Sequence, residues 1–479
     1  MSHPSEWIPE EGIPELVQRS SGMALLYGVQ KKITTSGGPE SCEPMPFTLF
    51  PSFLPKAVLT KARSLHTHFQ RLMFDVANDH EFLHMCLKDV LPVDEFTREF
   101  WNIYETVRNE GVTQAITIFI SRNDFMMEAS RDWKKGSQDI RQVEFNTFSS
   151  GAGGVGGAVT DVHRYSLKLS GFPLDLDKLP ENRPTKGFAK GLVLAWEQYG
   201  NPSAVILFVV GVPEPNTPDQ RWLERHIFEY NPAVRVIFRT FQQLTAGDTT
   251  LGDRKQLLVD GVEVAVVYYR YGYAPTHYPT KKEYDLRLTI ERSLAIKCPS
   301  MAAHLAGCKK VQQVLAAPGQ LEHFIADPDI ARSIRETFVG LYHLSYNGST
   351  NETVHRALAN PDLFVLKPQR EGGGNNLFGA ELKTYLEKIQ NTSEVTSWIL
   401  MDRIKTVAHP NRLVRRDMGP ELRDVCSELG IFGVHLSCGV KELENYECGF
   451  LLRTKPLEAN EGGLFSGLSC LDSPLFVSD

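Results

Sequence analysis

The chain has 479 residues, of which 42% are hydrophobic and 23% charged. This is the balance of a globular protein, not of a disordered or collagen-like one, and the length suggests about three structural units around a large buried core. Its 51 basic and 58 acidic residues leave a net charge of -7, so nothing here supports a general nucleic-acid binder, whose footprint is strongly basic.

The opening MSHPSEWIPEEG has no basic segment followed by an apolar one, so no signal peptide is expected. Phe96, Phe100, Ile103 and Val107 fall on one helical face, and Gly111 stands where a C-cap belongs. Leu192, Ala195, Trp196 and Tyr199 repeat that spacing before Gly200. Strand-like runs lie at 115–120, 142–146, 204–210, 234–238, 262–269, 364–367, 398–403 and 431–436. The longest apolar run, 204–212, is too short to span a bilayer at about 20 residues and reads as a buried strand. Helices and strands alternate throughout, which indicates an α/β (α+β) protein. A second βα alternation starts at Ala204, so 204–310 is expected to form a substrate-binding lobe on a body made of 1–203 and 311–479. The eight cysteines include no CxxC pair, which gives no support to a zinc ribbon or redox motif and favours a reducing, cytoplasmic compartment.

Four stretches carry candidate chemistry. In QVEFN, 142–146, strand alternation puts Gln142, Glu144 and Asn146 on one face, with Val143 and Phe145 in the core. Glu144 and Asn146 are oxygen donors suited to Mg²⁺, although a solvated edge strand would look the same. Next comes GAGGVGG, 151–157. It matches GxGxxG literally, with Asp175 about 20 residues on, but no clear second strand carries that Asp. A flexible turn, or a loop whose backbone approaches another ligand, fits better. In KPQREGGGNNLF, 367–378, a strand delivers Lys367 to a loop of Arg370, Glu371, three glycines and two asparagines. Backbone N–H groups there can wrap an anion, Lys367 can meet phosphate and Glu371 can hold Mg²⁺. A charged Gly-rich hairpin is the plainer alternative, and no GxxxxGK[ST] pattern occurs. Finally, Arg453 and Lys455 precede Glu461-Gly462-Gly463 and Leu464-Phe465-Ser466-Gly467, a glycine-flanked lid or an exposed loop. Together these suit ATP-dependent chemistry on a carboxylic acid, without separating a kinase from a ligase.

At this point the residues resemble eukaryotic-type glutathione synthetase, of the ATP-grasp group. The stretches that carry the likeness are PFTLFPS (46–52), SRNDFM (121–126), QVEFNTFS (142–149), RYGY (270–273), LAGCKKVQQ (305–313), FVLKPQREGGGNNLFG (364–379), SELGIFGV (427–434) and LLRTK (451–455). The resemblance implies an ATP-grasp fold with an inserted lobe and glycine-rich lids, a homodimer, and neither nucleic-acid nor membrane partners. It implies ATP, γ-glutamylcysteine and glycine as substrates with Mg²⁺. An acyl phosphate would form on the cysteinyl carboxylate, and the glycine amine would then displace the phosphate.

Position by position, the resemblance implies Glu144, Asn146 and Glu371 as Mg²⁺ ligands and Lys309, Lys367 and Lys455 as nucleotide lysines. Gly372, Gly373, Gly374, Asn375 and Asn376 would cover the phosphates, with Phe378 and Glu461 nearby. The backbone of Met401, Asp402, Arg403 and Ile404 would meet adenine, and Glu428 the nucleoside. Arg122, Phe148, Ser149, Ser150, Gly151, Glu214, Pro215, Asn216, Gln220, Arg270, Tyr271, Gly272, Tyr273 and Arg453 would contact the dipeptide, and Leu464 and Phe465 would border the glycine end. Arg122, Lys309, Lys367 and Arg453 would act in catalysis, although Arg122 could equally be a structural partner of Asp124. The lid departs from a family pattern close to GGVAAG, which leaves the third amino acid open. Tyr271 departs as well, since smaller or acidic residues are common between the Arg and Gly of that motif.

Overall fold

The computed structural model describes residues 3–34, 41–129, 140–173, 175–346, 351–416, 419–464 and 467–477. It is a mixed helix-and-sheet protein, as expected. The long strands Leu422–Cys438 and Lys441–Pro456 pair as an antiparallel hairpin. Ile116–Met127 and then Ile140–Asn146 extend the sheet on one side. On the other side lie Cys470–Asp472, Phe47–Thr48 and His409–Val414, and the last of these pairs back onto Leu422–Cys438. Five of the seven strands therefore close into a ring.

The Leu422–Cys438 strand is buried almost continuously from Val425 onward because helices cover both faces, the setting in which strands read as apolar runs. Phe432 packs edge-on against Phe188 of the Pro184–Tyr199 helix. At Gly433 a Cβ would come within 2.5 Å of His66 Nε2 on the Lys56–Asn78 helix. The missing side chain lets that helix lie close to the sheet.

A second sheet, of six strands, is built wholly from residues 205–298. Val205–Val210, Val236–Thr240, Val262–Tyr269 and Ile296–Cys298 run parallel in it. Val205 to Val209 are fully buried, in keeping with the apolar run. The third sheet is antiparallel: Leu341–His343, Trp398–Asp402, Phe364–Pro368 and Leu377–Phe378. The Gly379–Ile389 helix covers it through Leu382 and Leu386, which cluster with Leu366 and Leu400. Both expected helices form, as Glu95–Glu110 and Pro184–Tyr199, and end at Gly111 and Gly200 with φ of 89° and 82°.

Two local expectations are corrected. GAGGVGG is neither a loop nor a dinucleotide turn: the Gly153–Leu169 helix starts inside it. Asp219 caps that helix, accepting from the N–H of Ala152 at 2.9 Å, Gly154 at 2.7 Å and Val155 at 3.3 Å. The N-terminus that would attract a phosphate already holds a carboxylate. The glycines serve packing, since a Cβ at Gly154 would stand 2.5 Å from Trp222 Cβ and one at Gly156 2.7 Å from Leu451 Cδ1. The second correction is in QVEFN. The register with Ile116–Met127 slips between Asp124 and Phe125, which face Glu144 and Gln142. Val143 is the extra residue of a β-bulge. Gln142 therefore turns into the protein, bonding Asn123 Oδ1 at 2.8 Å, while Val143 joins Glu144 and Asn146 on the cleft side.

Candidate active site

A cleft of about 750 Å³ opens where the three sheets meet. The large sheet contributes Arg122, Glu144, Asn146, Glu428, Arg453 and Lys455. The antiparallel sheet contributes Lys367 and the glycine loop that follows it, together with residues 401 to 404 and Phe378. Two loops at the ends of the 205–298 strands supply Glu214, Pro215 and Asn216, and Arg270, Tyr271 and Tyr273. Phe148, Ser149 and Gly151 come from the turn before the Gly153–Leu169 helix, and Glu461 and Leu464 from the C-terminal loop. Sequence positions more than 300 residues apart thus converge on one cavity.

Its electrostatic centre is a lysine between two carboxylates. Lys309 Nζ lies 3.2 Å from Glu144 Oε2 and 3.3 Å from Glu371 Oε1, with its side chain almost fully buried. Lys309 begins the Lys309–Ala316 helix, so its place is fixed by backbone geometry. Lys367 donates to Val143 O at 3.0 Å, the carbonyl of the bulge residue. Burial would raise both carboxyls. Glu144 is nevertheless held well below its usual range because Lys309, Lys367, Arg122 and Arg453 surround it. Burial does raise Glu371, which has Lys309 as its main cationic neighbour and Glu144 as a repulsive one. Asn146 gives its amide N–H to Asp124 Oδ2 at 3.0 Å, which leaves Oδ1 as its lone-pair end. Among the described residues no three His, Cys, Asp or Glu side chains form a metal-holding group. The two carboxylates and the amide oxygen of Glu144, Glu371 and Asn146 are hard donors, which would fit Mg²⁺ rather than zinc.

Beside this centre sits a residue that sequence reasoning did not single out for a role in the site. Asp124 is fully buried and receives Arg122 in a two-pronged pair at 2.6 and 2.8 Å. Its Oδ2 also faces Arg453 Nη2 at 3.3 Å. Arg453 meets Glu428 directly across the hairpin, its register partner. Gly430 stands opposite Asp124, and a Cβ there would come within 2.5 Å of Asp124 Oδ1.

The glycine loop is tied at both ends. At its base Arg370 bonds Asp94 at 2.6 Å, the residue that caps the Glu95–Glu110 helix through Thr97 N at 2.8 Å. At its crest the N–H groups of Gly374 and Asn376 point to the Glu461 carboxylate. These N–H groups form an anion cradle that Glu461 fills. Arg403 stacks toward the Phe378 ring and bonds Asn460 Oδ1 at 3.0 Å, and Lys455 Nζ donates to Asn460 O at 2.7 Å. Burial lowers the affinity of Lys455 for its proton, despite Cys426 and Glu428 beside it.

At the opposite end two buried polar atoms lack a partner among the described residues, Arg270 Nη1 and Asn216 Oδ1. One is a cationic donor and the other an acceptor. Glu214 accepts from Asn216 N at 2.9 Å and from Gln220 Nε2 at 2.9 Å. Three expected dipeptide contacts, Ser150, Gln220 and Gly272, stand behind the cleft wall rather than on it, and Lys309 reaches the cleft only through Glu144 and Glu371, which line it. Ser150 bonds Ile120 O at 3.1 Å and Gln220 braces Glu214. Phe465, and Ser466 with it, lie outside the described residues. His277 lines the cleft and was missed, since nothing in the sequence tells a loop histidine's partners.

A family model described as "Eukaryotic glutathione synthase, ATP binding domain" matches residues 10–476. The chain belongs to the eukaryotic glutathione synthase family. It is 38% identical to the glutathione synthetase of Homo sapiens over 469 residues, 97% of each chain. To that of Dictyostelium discoideum it is 37% identical, over 90% of this chain and 91% of the other. In fold it is similar to a glutathione synthetase-like effector from Globodera pallida in its apo form. The TM-score there is 0.77 and the identity 23%, over 98% of each chain.

Proposed function

We propose that this protein is a glutathione synthase, which uses ATP to join γ-glutamylcysteine to glycine with release of ADP and phosphate. The observation that carries this, beside the full-length family match, is the polarity of the one cleft. A phosphate cradle with Lys367 and a carboxylate pair lies at one end. At the other are Arg270 Nη1 and Asn216 Oδ1, which have no hydrogen-bond partner among the described residues, although Arg270 Nη2 lies 3.8 Å from Asp219. The second pair suits an amino acid terminus, with a guanidinium for the carboxylate and an amide oxygen for the ammonium.

In this reading the glycine loop and Lys367 hold the triphosphate, and Glu461 yields the loop N–H groups to phosphate. Residues 401 to 404, where the Trp398–Asp402 strand runs out along the cleft, offer backbone to the base. Glu144, Asn146 and Glu371 would hold Mg²⁺, which when bound neutralises phosphate charge. Arg122 and Arg453 orient the cysteinyl carboxylate toward the terminal phosphoryl and spread the charge that develops on it. The carboxylate oxygen attacks phosphorus, ADP leaves, and the glycine amine then attacks the acyl carbon and expels phosphate. No nucleophilic side chain is needed. The loops that roof the cleft exclude water, which would otherwise hydrolyse the acyl phosphate.

The test is a product assay with MgATP, γ-glutamylcysteine and a mixture of glycine, alanine, β-alanine and serine. A glutathione mass with one ADP per product supports the reading. A different tripeptide would reassign the third amino acid, a possibility motivated by Leu464-Phe465-Ser466. Neither product nor ADP would overturn it in favour of a silent nucleotide-binding relative.

A further inference from the structure

His277 sits at the dipeptide end of the cleft, on the loop after Tyr273. Its Nδ1 accepts two consecutive backbone N–H groups, Gly272 at 3.0 Å and Tyr273 at 3.3 Å. An acceptor Nδ1 leaves the ring proton on Nε2, so the imidazole is neutral. Burial favours the same form, lowering its pKa to about 4. Gly272 has a φ of 104°, a conformation that exposes successive N–H groups to one acceptor. A Cβ there would also strike Phe241 Cζ at 2.8 Å.

The same ring stacks on Tyr271, with centroids 3.6 Å apart and planes at 18°, and meets Tyr273 edge-on at 4.8 Å. Tyr271 in turn covers Gly211, where a Cβ would lie 2.7 Å from its Cδ2. Gly211 opens the loop that carries Glu214 and Asn216. One imidazole thus joins two loops. It clamps the turn bearing Arg270 and Tyr273 by hydrogen bonds, and it reaches the Glu214–Asn216 loop through Tyr271.

We propose that His277 is a positioning residue for the dipeptide, its Nδ1 lone pair holding the Arg270–Tyr273 turn in the binding conformation. This rests on the assignment of that end of the cleft to γ-glutamylcysteine. Tyr271 then has a role: it is the face on which His277 is held.

Two substitutions separate the lone pair from the ring. H277F keeps a flat ring on Tyr271 and removes the acceptor. H277N places Oδ1 near the position of Nδ1 and removes most of the ring. In steady-state assays H277F should raise KM for γ-glutamylcysteine about tenfold, as loss of two hydrogen bonds predicts. KM for ATP should stay within about twofold, and H277N within about threefold of the parent for the dipeptide. Equal behaviour of the two variants, whether both unchanged or both impaired, would overturn the proposal. So would a KM rise shared by ATP. If H277F does not fold, as judged by thermal melting, H277A is compared with H277N on the same terms. A parent enzyme that makes no product from the dipeptide fails at an earlier step and removes the functional reading itself. A normal parent with indistinguishable variants removes only the role of His277.

Discussion

Arg122 shows how a structural and a functional reading of one residue coincide. Its pair with Asp124 is real, yet Arg122 lines the cleft while the buried Asp124 behind it is shared with Arg453 and Asn146. An arginine held by a buried carboxylate is pre-aimed, so it loses little freedom when a substrate carboxylate arrives. Asp124→Asn keeps the shape but leaves two guanidinium groups short of a counter-charge. Breaking a buried pair from one side costs about 3 kcal/mol, so the urea midpoint should fall. KM for the dipeptide should rise in the same variant. A stable D124N enzyme with parental kinetics would remove Asp124 as the organiser of the site. Glu371→Gln tests the metal assignment differently. Glu371 is the carboxyl that burial raises, with Lys309 as its main offset and Arg122 a smaller one. Its amide should therefore fold normally and lose at least about 100-fold in kcat, the scale of removing one preorganised electrostatic group. Retained turnover in E371Q would mean that Mg²⁺ is held elsewhere.

Among elements, the glycine loop is held at its base by Arg370 on Asp94 and at its crest by Glu461. Asp94 does two things there: Oδ1 caps a helix and Oδ2 holds Arg370 at the loop's base. Asn is also a good N-cap, so Asp94→Asn should melt close to the parent while KM for ATP rises about fivefold, the scale of one weakened charge-assisted bond. An unchanged KM for ATP would show the loop base to be indifferent to Arg370. The GAGGVGG segment makes the opposite point. Gly154→Ala would drive a methyl to 2.5 Å from Trp222 Cβ, and overpacking of this kind costs about 1–3 kcal/mol. A lowered denaturation midpoint is expected, and an unchanged one would show that the helices can separate freely. These cases mark what was legible in the sequence. The Phe96–Val107 helix, the 204–210 strand and the Glu144–Asn146 face each follow a local period, and local periods survive in a bare sequence. The helix start at Gly153 does not, because its cap, Asp219, is 65 residues away from Gly154. Nor does the bulge at Val143, which depends on the register of the neighbouring strand. Asp124 and His277 matter through their partners, and partners are a tertiary fact.

At the scale of the whole molecule, the large sheet is held by buried and half-buried histidines whose neutrality links stability to pH. His163 bridges Thr48 O at 2.7 Å and Ser473 Oγ at 2.6 Å. His3 reaches Pro51 O at 3.1 Å, and His409 bonds Ser52 Oγ at 2.8 Å. His66 meets Ser121 Oγ at 3.2 Å beneath the sheet. Burial lowers all four, His3 and His66 to about 3 and His163 and His409 to about 4. A histidine depressed in the fold binds its proton more tightly when unfolded. Its contribution is therefore complete above the unfolded value near 6.5 and is lost as pH falls toward the folded value. Asp472, in the same sheet, runs the other way. Burial raises it to about 6, so its contribution is present at low pH and is lost as pH rises through that value. Each group can change stability by at most about 1.4 kcal/mol per pH unit, so four histidines outweigh one aspartate below pH 6.5. The urea midpoint should accordingly be higher at pH 7.5 than at pH 5, with the steepest fall below pH 6. His163→Asn, which keeps a polar group at Nδ1 without a titrating proton, should make that fall shallower while costing some stability at pH 7.5. A midpoint that does not move between pH 7.5 and 5 in the parent would mean that these imidazoles admit a proton without opening the sheet. Stability at acid pH would then have to come from the clusters beneath it.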